Sequence, residues 1–280
     1  MRSFITLACR VPGVRSLWTR FPVGSLPLRV DYGIWRRPHY AYGIYRAAQL
    51  AGQFQSPGVT VIEFGVAGGN GLLTMAEHAA EIAEHLQIKI EVIGFDSGSG
   101  MPATTDPRDL PYAWRSGSFA MDEHALRSAL GSTRLILGPV EQTVMEAELH
   151  YPVGFIAFDL DYYTSTLGAM RIFSRPPDTR LPRVFCYFDD ILYPVGAMLT
   201  EHVGELAAIE TFNRNNESMK LGKLSHLNWT RPLPAAWCEQ MYALHDFEHP
   251  LYSKLVDVGI LYRPPSYRHR PEARFLRKTK

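Results

Sequence analysis

A chain of 280 residues, with 46% apolar and 20% charged side chains, is long enough to fill one α/β domain with a sizeable core. Its net charge of +1 excludes nucleic acid as a partner held by overall charge, and no apolar run reaches the roughly 18 residues of a transmembrane helix. Cys9, Cys186 and Cys238 are widely spaced and odd in number, which argues against a disulfide framework or a zinc site and for a reducing, cytoplasmic compartment.

Residues 1–30 contain Arg2, Arg10, Arg15, Arg20 and Arg29 but no acid. A transit peptide or a membrane-surface segment has a similar composition. Pro12, Gly13, Pro22 and Pro27 interrupt any long helix, so a frayed basic arm over 1–30 is the simpler expectation. The folded domain is expected over 31–263, followed by a second basic tail over 264–280.

Tyr40-Ala41-Tyr42-Gly43-Ile44-Tyr45 reads as an amphipathic helix packed on a sheet, or as an aromatic lid. Val59 to Phe64 is the first strand, β-branched and apolar. Leu72 to Leu86 is a helix, and Ile88 to Phe95 the second strand. Ser97 to Ser118 is rich in Gly, Pro, Ser and Thr and has no sustained period, as in a long binding loop. A helix over Asp122 to Leu130, a strand at Leu135 to Leu137 and a helix over Val140 to Leu149 follow. Then come a strand at Val153 to Phe158, a helix over about 165–173, a strand at Arg183 to Phe188 and a helix over Gly204 to Phe212. Gln240 to Phe247 and Leu255 to Tyr262 read as a terminal antiparallel hairpin. The alternation predicts an α/β, Rossmann-like doubly wound sheet, parallel except for an antiparallel C-terminal edge hairpin.

The segment from Glu63 to Gly71 ends a buried strand in an acid and turns through Gly65, Gly68, Gly69 and Gly71 into a helix. Such a turn lets backbone amides approach a ligand closely. Ala67 replaces the middle glycine of the dinucleotide fingerprint, and Glu63 precedes the first glycine by two residues. Both features favour S-adenosylmethionine, whose ammonium suits Glu63, over NAD(P). Asp96 closes the second strand, where a carboxylate binds ribose hydroxyls in either cofactor class; Ser97 follows it. Read alone, Asp96 is equally a turn cap.

Asp159 and Asp161 stand two apart at one strand end, and Asp189 and Asp190 end the next strand. In an open α/β sheet these positions converge where ligands bind. Separate helix caps are the bland alternative. Four acids together repel one another unless neutralised, and Mg²⁺ is the natural counter-charge. A metal would hold a substrate diol and acidify one hydroxyl, and a free carboxylate would take its proton. Several weaker candidates carry simpler structural readings. Arg37 and His39 are substrate contacts or structural, Trp114 and Phe119 adenine neighbours or core. The polar run after Phe212 is a polyol contact or a helix end, and His202 an alternative base.

Four blocks run in the order found in one family: Glu63 to Gly71; Gly94 to Ser97 with Gly100-Met101-Pro102; Phe158 to Tyr163 with Ser165-Thr166; and Phe188-Asp189-Asp190. On these the chain resembles the macrocin O-methyltransferase family (TylF/MycF-like) of class I methyltransferases. It departs from that family at Gly98-Ser99 and in the stretch through Tyr112, Trp114 and Arg115, as a divergent branch would. The resemblance implies a class I methyltransferase fold using S-adenosylmethionine and Mg²⁺. The metal ligands would be Asp159, Asp189 and Asp190, and the general base Asp161. Glu63, Gly65, Gly68, Gly69, Asp96 and Ser97 are the expected cofactor contacts. The expected reaction is O-methylation of a sugar-like or other small polyol acceptor, in a chain for which a homo-oligomer stays open. The rival readings are an NAD(P)-dependent oxidoreductase or epimerase, and a non-catalytic nucleotide-binding protein.

Overall fold

The computed structural model describes residues 2–192 and 195–257. Three short helices open the chain: α1 (Arg2–Ala8), α2 (Val14–Arg20) and α3 (Leu26–Tyr32), separated by the expected proline and glycine breaks. Helix α4 (Pro38–Gln53) leads into β1 (Gly58–Phe64), and α5 (Asn70–Leu86) into β2 (Lys89–Asp96). Helix α6 (Glu123–Leu130), β3 (Arg134–Leu137), α7 (Val140–Glu146) and β4 (Val153–Phe158) follow. The chain continues through α8 (Tyr163–Ala169), β5 (Arg180–Phe188), α9 (Gly204–Asn215), β6 (Met219–Lys223), α10 (Leu227–Thr230) and β7 (Met241–Asp246).

The strands form one sheet in the order β3-β2-β1-β4-β5-β7-β6. Pairings from β3 to β5 are parallel, and β7 runs antiparallel to both β5 and β6. Every residue of β1 and β4 is buried, because helices cover both faces. Both strands therefore read as unbroken apolar runs rather than alternating ones. Helices α4 and α5 cover one face, and α7, α8 and α9 the other. The aromatic run in α4 is a packing face: Tyr40, Tyr42, Ile44 and Tyr45 are all buried. It is not a lid.

Two expectations need correction. The boundary at residue 30 falls inside α3, whose Leu26 and Val30 are buried. The preceding helices are not a frayed arm either: Cys9 packs with Tyr32, Ile34 and Leu233, and the Thr6 hydroxyl lies 3.0 Å from the Tyr32 hydroxyl. The second correction concerns the antiparallel pair. The partner of β7 is β6, which precedes it, not Leu255 to Tyr262. Residues 255–257 form no strand, and 258–262, like the tail over 264–280, lie outside the described residues. Strand β6 escaped notice because Lys220, Gly222 and Lys223 interrupt its apolar pattern at an exposed sheet edge.

Arg180 opens β5, and both its Nε and Nη2 donate to Asp246 Oδ2 at the end of β7, at 3.0 and 2.5 Å. Both side chains are buried, so this ion pair fastens the antiparallel strand to the parallel sheet. Asp246→Ala strands a buried guanidinium and is expected to cost about 3–5 kcal/mol, measured by urea unfolding.

Candidate active site

The C-terminal ends of β1, β2, β4 and β5 open into one cavity of about 1010 Å³. This is where an open α/β sheet places its ligands: the loops diverge there and leave a crevice. The cavity collects the glycine turn after β1, the acid closing β2 and the acids following β4 and β5. All ten residues expected at the site from sequence line it.

Gly65 adopts a φ of +85° so close to the Asp159 carbonyl that a β-carbon would collide with it. A β-carbon at Gly71 would overlap Glu63 Oε1. These two glycines let the turn fold over the Glu63 carboxyl. The side chain of Glu63 is almost wholly buried, at 1% exposure. Its Oε1 accepts a 2.5 Å hydrogen bond from the Tyr40 hydroxyl, while its Oε2 has no partner. Burial pushes its pKa up to about 8, against the Tyr40 bond that lowers it; neighbouring Asp159 raises it further.

Asp96 has a structural task as well as a place in the cavity. Its Oδ2 accepts from the backbone amides of Val66 and Ala67 at 2.8 and 2.9 Å, and its Oδ1 from that of Gly98 at 2.7 Å. The carboxylate thus pins the glycine turn to the following loop. Ser97 closes that loop by donating to the Gly100 carbonyl at 2.8 Å. Gly69, at φ +83°, caps α5 against Leu126, whereas a β-carbon on Gly68 would meet nothing.

Asp159, Asp189 and Asp190 each offer a carboxylate oxygen, and the three oxygens lie within 4.8 Å of one another. Tyr187 donates to Asp189 Oδ1 at 2.6 Å. Burial pushes the Asp159 carboxyl well above its usual range, with repulsion from Asp189 and Asp190 adding to it. Asp190 is raised in the same way, by burial and then by Asp161. Asp161 stands beside the triad in a left-handed conformation at φ +58°, its amide donating to Asp190 Oδ2 at 3.0 Å. Its carboxyl is raised to about 7, chiefly by burial.

Three groups beyond the expected set shape the site. Glu205, in the first turn of α9, is fully buried and accepts from the amides of Leu160 and Asp190 at 3.3 and 3.1 Å. It holds the two acid-bearing loops together. Asp109 does the same for the long loop, accepting from Thr104 and from the amide and hydroxyl of Thr164. Arg37, expected to be a substrate contact or structural, is the one cationic side chain among the described residues lining the cavity. Glu205 was hidden because an acid early in a helix normally reads as an exposed dipole partner. Asp109 lies in a loop without periodicity.

The weaker candidates divide. Trp114 and Phe119 line the cavity, with ring centroids 6.3 Å apart. His39 stacks on Tyr187 at 4.1 Å, and burial, followed by the Arg37 charge, lowers its pKa to about 3; it is a neutral packing group. Asn213 exchanges hydrogen bonds with the backbone of Leu221, so the polar end of α9 secures β6. His202 is exposed beside Glu201 and Glu210 and does not line the cavity.

Comparison with solved structures accounts for this architecture. The chain is similar to a calicheamicin methyltransferase, with a TM-score of 0.50 and 21% identity over 79% of this chain and 82% of that one. The fold is the class I methyltransferase fold. The apo form of a TDP-rhamnose 3′-O-methyltransferase of calicheamicin biosynthesis aligns with a TM-score of 0.43 and 20% identity, over 79% and 83%. An O-methyltransferase from Bacillus cereus in complex with S-adenosylhomocysteine aligns with a TM-score of 0.35 and 11% identity, over 72% and 80%. No protein-family model matches the chain, and none of the curated proteins does.

The buried Glu63 carboxyl has a testable consequence for pH. Its folded pKa of about 8 exceeds the ordinary 4.5, so the folded protein holds this proton more tightly than the unfolded chain. The resulting stability is complete below pH 4.5 and is lost as pH rises through 8. Glu63→Gln keeps an acceptor for Tyr40 but cannot ionise. Its melting temperature relative to the native chain should therefore climb between pH 5 and pH 9. A constant difference across that range would contradict the assignment.

Proposed function

We propose that this chain transfers the methyl group of S-adenosylmethionine to a hydroxyl of a sugar-like or other small polyol acceptor, with Mg²⁺ held by Asp159, Asp189 and Asp190. The observation that carries the proposal is a juxtaposition in one cavity. The unpartnered, buried Glu63 Oε2 lies under the glycine turn, and the three-carboxylate cluster opens into the same space.

The residues suit both groups. An orphaned carboxyl oxygen in a buried site calls for a cationic donor, and the ammonium of S-adenosylmethionine is one. Arg37 offers the complementary charge to the cofactor carboxylate. Asp96 keeps unused acceptor capacity for ribose hydroxyls while its Oδ2 anchors the turn. Gly65, Gly68, Gly69 and Ser97 border the same space, and Trp114 and Phe119 supply apolar surface for adenine. Three carboxylate oxygens within 4.8 Å of one another suit a hard divalent cation. When bound, S-adenosylmethionine supplies a methyl group already activated on sulfur. When bound, Mg²⁺ supplies Lewis acidity toward a hydroxyl.

Asp161 borders the cavity beside the triad, its carboxyl hydrogen-bonded to that of Asp190, and it is the group we assign to accept the acceptor's hydroxyl proton. Glu205 and Tyr187 hold the acid-bearing segments in place, so positioning contributes much of the rate. The reading sets the chain beside the macrocin O-methyltransferases as a divergent branch. It also assigns the chain to the cytoplasm, which suits three free, buried cysteines.

Calorimetry with S-adenosylhomocysteine and with NAD tests the cofactor; NAD binding without S-adenosylhomocysteine binding would sink the proposal. An acceptor screen over sugars, nucleotide sugars and diols, read by S-adenosylhomocysteine release, then identifies the substrate. With an acceptor in hand, Asp161→Asn should lower kcat about 10²–10⁴-fold and leave S-adenosylhomocysteine affinity unchanged. Asp189→Asn should abolish Mg²⁺ binding by calorimetry, and turnover that persists in excess EDTA would exclude the metal role.

A further inference from the structure

Residues 4–24 present two apolar faces, and only one is covered among the described residues. On the inner side Ile5, Cys9 and Trp18 pack against Leu28, Tyr32, Ile34 and Leu233. The Trp18 and Tyr32 rings lie 5.8 Å apart, and the Trp18 indole donates to the Val23 carbonyl at 2.7 Å. This side anchors α1 and α2 to the domain. On the outer side Phe4, Leu7, Val11, Leu17, Phe21 and Val23 are each between 56% and 75% exposed. So many large apolar side chains in one short segment are more than scattered surface residues.

The charge around them has one sign. Arg10, Arg15 and Arg20 are exposed among these side chains, and no acid occurs in the first thirty residues. The chain as a whole carries only +1, so the basic character is local. That pattern limits what can cover the face. Under two-fold symmetry a second copy would set these arginines against their own counterparts. The tail over 264–280 has Arg268, Arg270, Arg274, Arg277, Lys278 and Lys280 against the single acid Glu272, so its charge has the same sign and does not complement the face. The complement must be anionic and must also accept apolar side chains.

We propose that α1 and α2 dock this chain onto an anionic lipid surface. Phe4, Leu7, Leu17 and Phe21 would enter the boundary between headgroups and acyl chains, and Arg10, Arg15 and Arg20 would lie at the phosphates. The Pro12-Gly13 break divides the segment into two short helices, α1 and α2. The inner contacts hold them to the domain, so the docked segment carries the cavity to the bilayer surface without crossing it. No helix among the described residues is long and apolar enough to cross a membrane. This proposal does not depend on the methyltransferase reading.

The test is flotation of the full chain with phosphatidylcholine vesicles, with and without phosphatidylserine. The chain should float with the phosphatidylserine vesicles, remain behind with phosphatidylcholine alone, and bind about tenfold or more weakly at high salt. The Phe4→Ser/Phe21→Ser and Arg15→Glu/Arg20→Glu double variants should each lose at least about tenfold in vesicle affinity, with circular dichroism and S-adenosylhomocysteine binding as in the native chain. Equal behaviour with both vesicles, or no flotation at all, would overturn the proposal. So would a dimer in light scattering that the Phe4→Ser/Phe21→Ser variant dissolves, because a second copy would then cover the face. Should either double variant fold poorly, salt sensitivity of the native chain still decides the matter.

Discussion

Seven carboxyl groups line one cavity beside a single guanidinium, that of Arg37, among the described residues. This imbalance is the constraint on which the rest of the site depends. Charges of one sign in a low-dielectric crevice repel strongly unless protons, donors or cations neutralise them. The structure answers with all the donors the chain can supply. Amides of the glycine turn serve Asp96, amides of the β4 and β5 loops serve Glu205, and tyrosine hydroxyls serve Glu63 and Asp189. What the chain's own groups leave open is concentrated at two places: Glu63 Oε2, which has no hydrogen-bond partner, and the crowded Asp159, Asp189 and Asp190 cluster. Those are the two places where the proposed ligands carry positive charge.

The fold makes this concentration possible. Parallel strands deliver their C-terminal ends to one edge, so each strand adds its terminal acid to the same crevice. Glu63 ends with β1, Asp96 with β2, Asp159 follows β4 and Asp189 follows β5. The antiparallel β7, fastened by the Arg180–Asp246 pair, completes the sheet beside β5 without adding an acid to the crevice. Stability and chemistry thus come from different parts of the sheet. The apolar strand interiors supply the first, and the strand ends supply the second at some cost to the ligand-free protein.

The same separation holds at the N-terminus. The inner side of α1 and α2 is ordinary packing, whereas the outer side is apolar and basic and exposed among the described residues. One segment therefore packs on the domain through one side and, in the proposed docking, meets a lipid surface through the other.

Much of this was legible in the sequence. Strands β1 to β5, the helices between them and all ten expected site residues follow from local pattern: an apolar run, then a glycine or an acid, then a helix. A strand end is a local event, so an acid there announces itself by position alone. Strand β6 and the burial of Glu205 and Asp109 did not announce themselves. An edge strand buries one face at most, and an acid buried by another element keeps the pattern of an exposed one. The aromatic run in α4 likewise reads as packing or lid until its neighbours are in place. The sequence determined which residues stand at strand ends and hence which chemistry is available. Only the tertiary structure decided which polar atoms lack a partner, because hydrogen bonds between distant segments, such as Tyr40 to Glu63 or Glu205 to Asp190, have no local signature.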